Sequence, residues 1–378
     1  MSSPTIAELE HDFMQSVTLN GLRPLAGERT IQALYYILRG RKTNQTLQDV
    51  HLFALYPYYR MIPRLLKEDW DKIVAALLQQ GLIRLLPAPG EGRKPSFGLT
   101  EAGETYAAAG REKYRLGFWF QPFAGTEAAE PLDLFWRRLH LLVQTVSHLL
   151  ANDLSFQPVV QDKQVQQWVK QRLARPEQRE RWQEHLADEL YRLLEPLPAS
   201  VQEVVIARFS GAAQSGQTLT QLALHRREAP SYIQLQFRYG LARAMEALRS
   251  DSGRFPLLAE LAGPSGGRER RLSESAEQTY ALLRQGFSVE EIARRRRIKP
   301  STVEDHLAEI ALRCPEWDCS RFLPPALAER IVQACEQLGT SRLRVVKDHL
   351  GPDVSYLQIR LALARRKGGK TTWQTGIC

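Results

Sequence analysis

Residues 288–310 read SVEEIARRRRIKPSTVEDHLAEI, and the fold turns on how this stretch is spaced. Ser288 followed three residues later by Glu291 is a capping box, so a helix starts there. Val289, Ile292 and Ala293 give that helix an inward stripe. The chain then turns through Arg297 and Ile298. A second helix starts near Pro300, and its Val303, Leu307 and Ile310 share one face at i, i+4 and i+7. Ser301–Glu304 reads as a second capping box. Upstream, Ala276–Gln285 places Ala276, Tyr280 and Leu283 at helical spacing and stops at Gly286. Three helices with this tight turn predict a helix-turn-helix core.

Such a core reads DNA or packs as a small bundle against protein, and the local chemistry bears on both. The run Arg294, Arg295, Arg296, Arg297 with Lys299, Ser301 and Thr302 supplies phosphate or base contacts, and His306 lies one turn further along. Against DNA stand two features. Arg297 occupies a turn position that usually takes glycine, at a cost of roughly 1 kcal/mol. The second helix also begins with Glu304 and Asp305, which phosphates repel. Binding dominated by the DNA backbone is therefore expected over tight sequence reading.

At 378 residues the chain should form two to four domains. A hydrophobic fraction of 43% suffices for buried cores, and no apolar run approaches membrane-spanning length. The start, MSSPTIAELEHDF, carries acids and no apolar core region, unlike a signal peptide. The net charge of +9 is uneven: residues 268–370 hold 20 Lys and Arg against 14 Asp and Glu. That asymmetry points to a polyanionic partner. The four cysteines (Cys314, Cys319, Cys335, Cys378) form no CxxC pair, which suits a reducing cytoplasm. A zinc site from Cys314, Cys319, Cys335 and His306 matches no strong ligand spacing, so buried thiols are expected instead. No nucleophile triad, HExxH or dinucleotide fingerprint occurs. The tail GGKTT lacks the glycine five residues before Gly369 that a phosphate loop needs, since Ala364 stands there. No enzyme, cofactor or metal is expected.

In chain order, a mainly α protein emerges. Residues 1–110 give helices at Thr30–Leu38, Thr46–Phe53 and Lys67–Gln80, then strands Leu82–Leu86 and Ser96–Leu99, the pattern of a winged-helix-like domain. Its hairpin tip offers Arg93 and Lys94 to DNA. Residues 111–250 form a helical middle region, including a buried interdomain helix through Phe135, Leu139, Leu142 and Val146. Within it, residues 196–250 resemble a degenerate version of the DNA-binding end of bacterial sigma factors, or form a plain helical bundle that keeps only the packing pattern; Arg226, Arg227, Arg238 and Arg243 are the phosphate contacts if the block binds DNA. Residues 251–271 read as a linker, 272–367 as the C-terminal helix-turn-helix domain, and 368–378 as a disordered tail.

Two stretches carry a family resemblance. GFSVEEIARRRRIKPSTVEDHLAEI, with DCSRFLP and LRVVKDHLGPDVSYLQIRLALA, resembles the helix-turn-helix module at the ends of some RecQ-type helicases. LAGERTIQALYYILRGRKTNQTLQDVHLFALYPYYRMIPRL resembles the YpbB-type proteins of Firmicutes, which are encoded beside a RecQ-like helicase. The resemblance implies a DNA-binding accessory factor, partnered with a RecQ-like helicase in recombination or repair, cytoplasmic and nucleoid-associated. A transcription regulator and a protein-docking adaptor without DNA binding are the competing expectations.

Overall fold

A computed structural model describes residues 4–87, 95–124, 132–153, 155–262 and 272–366. The protein is mainly α-helical, with one two-stranded antiparallel sheet among the described residues. In chain order the elements are α1 Ile6–Leu22, α2 Gln32–Arg39, α3 Asn44–Leu52, α4 Lys67–Gln79, β1 Ile83–Leu86, β2 Ser96–Leu99, α5 Glu101–Lys113 and α6 Leu116–Trp119. They continue with α7 Leu132–Leu150, α8 Lys163–Arg172, α9 Pro176–Leu194, α10 Ala199–Ala207, α11 Leu219–Arg226 and α12 Pro230–Ser250. The last six are α13 Glu274–Arg284, α14 Val289–Arg296, α15 Pro300–Arg313, α16 Pro325–Leu338, α17 Leu343–Leu350 and α18 Tyr356–Arg365.

Contacts divide the chain differently from the linear segments read in the sequence. One compact unit holds residues 16–109 and 268–378; the other holds residues 1–15 and 110–267. The first unit therefore joins two segments that lie far apart in the sequence.

In that first unit, α2, α3 and α4 precede the β1–β2 ribbon, as expected of a winged-helix-like arrangement. Trp70, Leu34, Leu38 and Phe97 are fully buried in its core. Gly103 allows α5 to close on the ribbon, because a Cβ there would lie 1.9 Å from the Leu82 carbonyl oxygen. The C-terminal helices bury a second cluster through Leu307, Ile331, Val346, Ile359 and Leu361, and Leu52 of α3 packs against it. The hairpin tip, with Arg93 and Lys94, lies outside the described residues, as do 263–271 and 367–378.

The second unit centres on α7 and α12. Buried Leu139, Leu142 and Val146 of α7 lie within this unit's core. An aromatic cluster of Phe13, Tyr114, Trp119 and Tyr232 fills one end of the unit. Residues 251–262, expected as linker, are instead part of the core. Phe255, Leu257, Leu258 and Leu261 are buried, and the buried Glu189 carboxylate accepts hydrogen bonds from the Leu257 and Leu258 backbone N–H groups. Four apolar side chains outweigh the Gly and Ser that suggested a flexible connection.

Candidate nucleic-acid interface

The tri-helical unit α13–α15 forms as its spacing requires. The Ser288 side chain accepts from the Glu291 N–H at 3.2 Å while the Glu291 carboxylate accepts from the Ser288 N–H at 2.7 Å. These bonds hold the Glu291 carboxyl below its ordinary pKa. Ile292, Ala293 and Val303 form the small core between α14 and α15. Arg297 ends α14 in the left-handed region, with φ 53° and ψ 44°. The expected second capping box does not form. Pro300 takes the first helical position and Lys299 is the N-cap residue, so Ser301 lies inside the helix.

The cations of this stretch divide into two groups. Arg294, Arg297 and Lys299 are exposed at the turn. Arg295 is also exposed, and its guanidinium sits 3.8 Å from the centre of the Phe287 ring. Arg296 points inward. It donates to the Ser275 carbonyl oxygen at 2.7 Å, the Ser275 hydroxyl at 2.9 Å, the Gln278 side-chain oxygen at 3.0 Å and the Thr279 hydroxyl. His306, only 6% exposed, shares a 2.8 Å hydrogen bond with Thr279, and burial first, then Arg296, pushes its pKa down. Arg296 and His306 thus tie α13 to α14 and α15. Thr302 is half-buried, and Ser301 is exposed.

The helix that would enter a groove is covered. α15 is packed by α13, α14, α18 and α3. Val303, Leu307, Ala308, Ile310 and Ala311 are buried, Asp305 pairs with Arg360 at 2.7 Å, and the Glu309 carboxylate accepts from the Ser273 N–H and hydroxyl. Its exposed part is the amino-terminal end.

The middle region contains a second unit of the same build, α10–α12, the block that resembles the DNA-binding end of sigma factors, in register with the first. Thr218 and Gln221 form a capping box like Ser288 and Glu291. Leu222 and Ala223 are buried like Ile292 and Ala293. Arg227 ends its helix at φ 51° as Arg297 does at 53°. Pro230 and Ser231 then open α12 as Pro300 and Ser301 open α15. Even the inward arginine recurs: Arg226 donates to the Ser200 carbonyl oxygen at 3.3 Å and to Glu203 at 2.8 Å. Every pair is separated by the same interval, from Thr218 and Ser288 to Ser231 and Ser301.

The two units differ in what meets the end of the third helix. In α12, the Ser231 N–H donates to the Glu10 carboxylate at 2.9 Å, and the Ser231 hydroxyl donates to its other oxygen. No hydrogen bond to the Ser301 side chain forms among the described residues. The exposed cations also thin out: Leu224, His225 and Ala229 stand where Arg294, Arg295 and Lys299 stand in the other unit. Of the further cations expected there, Arg243 pairs with Glu246 and Arg238 lies over the Phe123 ring.

No group of three or more His, Cys, Asp or Glu with metal-binding geometry occurs among the described residues. Cys314 and Cys335 are buried, and burial pushes the Cys335 thiol up to about 11. No described helix is long and apolar enough to cross a membrane.

This geometry agrees with the family comparison at the same place in the chain. Residues 275–363 match a helix-turn-helix domain family. The matched span runs from α13 into α18. The whole chain is similar to Protein YpbB of Bacillus subtilis (strain 168), 25% identical over 362 residues that cover 94% of this chain and 98% of that protein. The resemblance read at the two chain ends therefore extends along the length of both proteins. No solved structure matches.

Proposed function

We propose that the protein is a non-catalytic DNA-binding accessory factor that grips the phosphate backbone at the α14–α15 turn of its helix-turn-helix domain. The observation that carries this reading is the contrast between Ser231 and Ser301. A helix amino terminus favours an anion through its free N–H groups and dipole. In α12 that place is taken by the chain's own Glu10 carboxylate. In α15 the equivalent serine is exposed beside Arg297 and Lys299, where a DNA phosphate supplies the matching charge. Most side chains further along α15 are buried or paired, and half-buried Glu304 carries a charge that phosphate repels, which disfavours an operator-reading regulator. The partnership with a RecQ-type helicase in recombination or repair, at the nucleoid, rests on the family resemblance.

The test is a salt titration of a fluorescein-labelled forked duplex against the wild type and an Arg294→Ala, Arg297→Ala, Lys299→Ala variant. Each lost phosphate contact should flatten the slope of log K against log salt by about 0.9 on duplex DNA. Weakening by the same factor on several unrelated sequences is expected. Unchanged affinity in the variant removes the site, and a single preferred operator would restore the regulator reading. Absence of any DNA shift at low salt, with co-purification of a helicase, would establish the adaptor.

A further inference from the structure

The second unit contains a cleft that the DNA reading does not use. Leu141, Thr145 and Leu149 of α7 form its floor, one above another along a single helical stripe. Val169 of α8 and Leu173 just beyond it form one wall, and Phe156 and Pro158 close the end. Its volume is about 310 Å³, roughly twice that of an apolar cavity of about 150 Å³ that admits benzene.

The rim is held open by dedicated bonds. Gln144, itself 6% exposed, donates to the Gln157 carbonyl oxygen at 3.1 Å and accepts from the Val159 N–H at 2.9 Å. Gln166 donates to the Val160 carbonyl oxygen at 2.9 Å. Phe156 is stacked on His148 with ring centres 4.3 Å apart. Three side chains therefore fix the segment that would otherwise fall into the gap, which is the condition for a preformed ligand site.

The charge around the cleft has one sign. Lys170 and Arg179 line it, and no Asp or Glu does. Neighbouring cations are neutralised: Arg137 pairs with Asp162 and Arg172 with Glu260. Neither Lys170 nor Arg179 forms an ion pair among the described residues.

We infer that this cleft binds an amphipathic monoanion, a carboxylate on an unbranched apolar chain, with its tail on the α7 stripe and its head at Lys170 and Arg179. The volume corresponds to about ten water-sized units, which suits a chain of about ten carbons. The test is calorimetric titration of the full-length protein with decanoate below its micelle concentration, beside decanol and decyltrimethylammonium. Saturable binding of decanoate at one site is expected, at least about tenfold tighter than decanol, with no binding of the cation. Lys170→Gln with Arg179→Gln should bring decanoate down to the decanol value, and Thr145→Phe should abolish binding of both while far-UV dichroism stays unchanged. The proposal fails if decanoate does not saturate, if decanol binds equally well, or if the Thr145→Phe protein, folded, still binds. A cleft filled by the apolar segment of a partner protein would give the first of these results.

Discussion

Glu10 closes the amino-terminal end of α12 by accepting hydrogen bonds from both the N–H and the hydroxyl of Ser231. Its equivalent in α15, Ser301, is exposed. One fold therefore occurs twice in the chain, once with an internal anion at the end of its third helix. Ser301→Asp should supply an anion to the other copy. An acid in the first turn stabilises a helix by about 0.3–1 kcal/mol, so thermal stability should hold or rise slightly. DNA affinity should fall by about tenfold or more at low salt through repulsion of the phosphate. Retained affinity in fluorescence anisotropy would show that phosphate sits elsewhere.

Glu10→Ala tests the other copy. It leaves Ser231 without its acceptor and should destabilise the second unit by about 1–3 kcal/mol, read as a lower urea midpoint. Affinity of the folded protein for DNA should not change.

Arg296 and Arg294 stand two residues apart and should respond oppositely. Arg296→Ala removes the bonds to Ser275, Gln278 and Thr279 and should lower stability by on the order of 1–2 kcal/mol, since the site is partly exposed. Arg294→Ala should leave stability within about 0.5 kcal/mol and weaken DNA binding. Urea titration and anisotropy on both variants separate the two roles.

Arg297 holds a left-handed backbone conformation that glycine adopts freely. Arg297→Gly should therefore stabilise the helix-turn-helix domain by about 0.5–1 kcal/mol while removing one phosphate contact. A variant that is both more stable and weaker on DNA would separate folding from binding at one residue.

The pKa of His140 is pushed down to about 4, first by burial and then by the Arg208 guanidinium. Its ring nitrogen also accepts the Ser210 N–H, which requires the neutral form. Below about pH 6.5 the unfolded chain takes up a proton that the folded chain refuses. Stability is complete above that pH and declines as pH falls toward 4, by up to about 1.4 kcal/mol per unit for this group. Urea midpoints at pH 7, 6 and 5 should show a shallower decline in His140→Gln.

Much of the helix-turn-helix was legible because its signals are local. Ser288 and Glu291 lie within one turn, and Val303, Leu307 and Ile310 repeat at helical spacing. Ser301–Glu304 misled because the same letters form a capping box only when serine is the N-cap residue, and with Lys299 as N-cap and Pro300 opening the helix, Ser301 stands two positions too late. Arg296 looked identical to its three neighbours, and only the position of α13 separates it from them. The interval from Thr218, Gln221, Arg227 and Pro230 to Ser288, Glu291, Arg297 and Pro300 was readable throughout, and would have exposed the duplication and the significance of Ser231. Glu10 has no such signal: it lies over 200 residues before its partner. Nor does any local pattern announce that α3 packs on α15, since both helices only present a stripe in need of cover.

That packing has a consequence for biosynthesis. Residues 16–109 leave the ribosome with a face of α3 whose cover, α15 and α18, is encoded after residue 267. At a synthesis rate of roughly 5–20 residues per second, the wait for that cover is on the order of 10–60 s. During it the nascent amino-terminal segment presents Leu52 and its neighbours to whatever chaperone attends the exit tunnel, and a messenger truncated before α13 yields a product that never buries them.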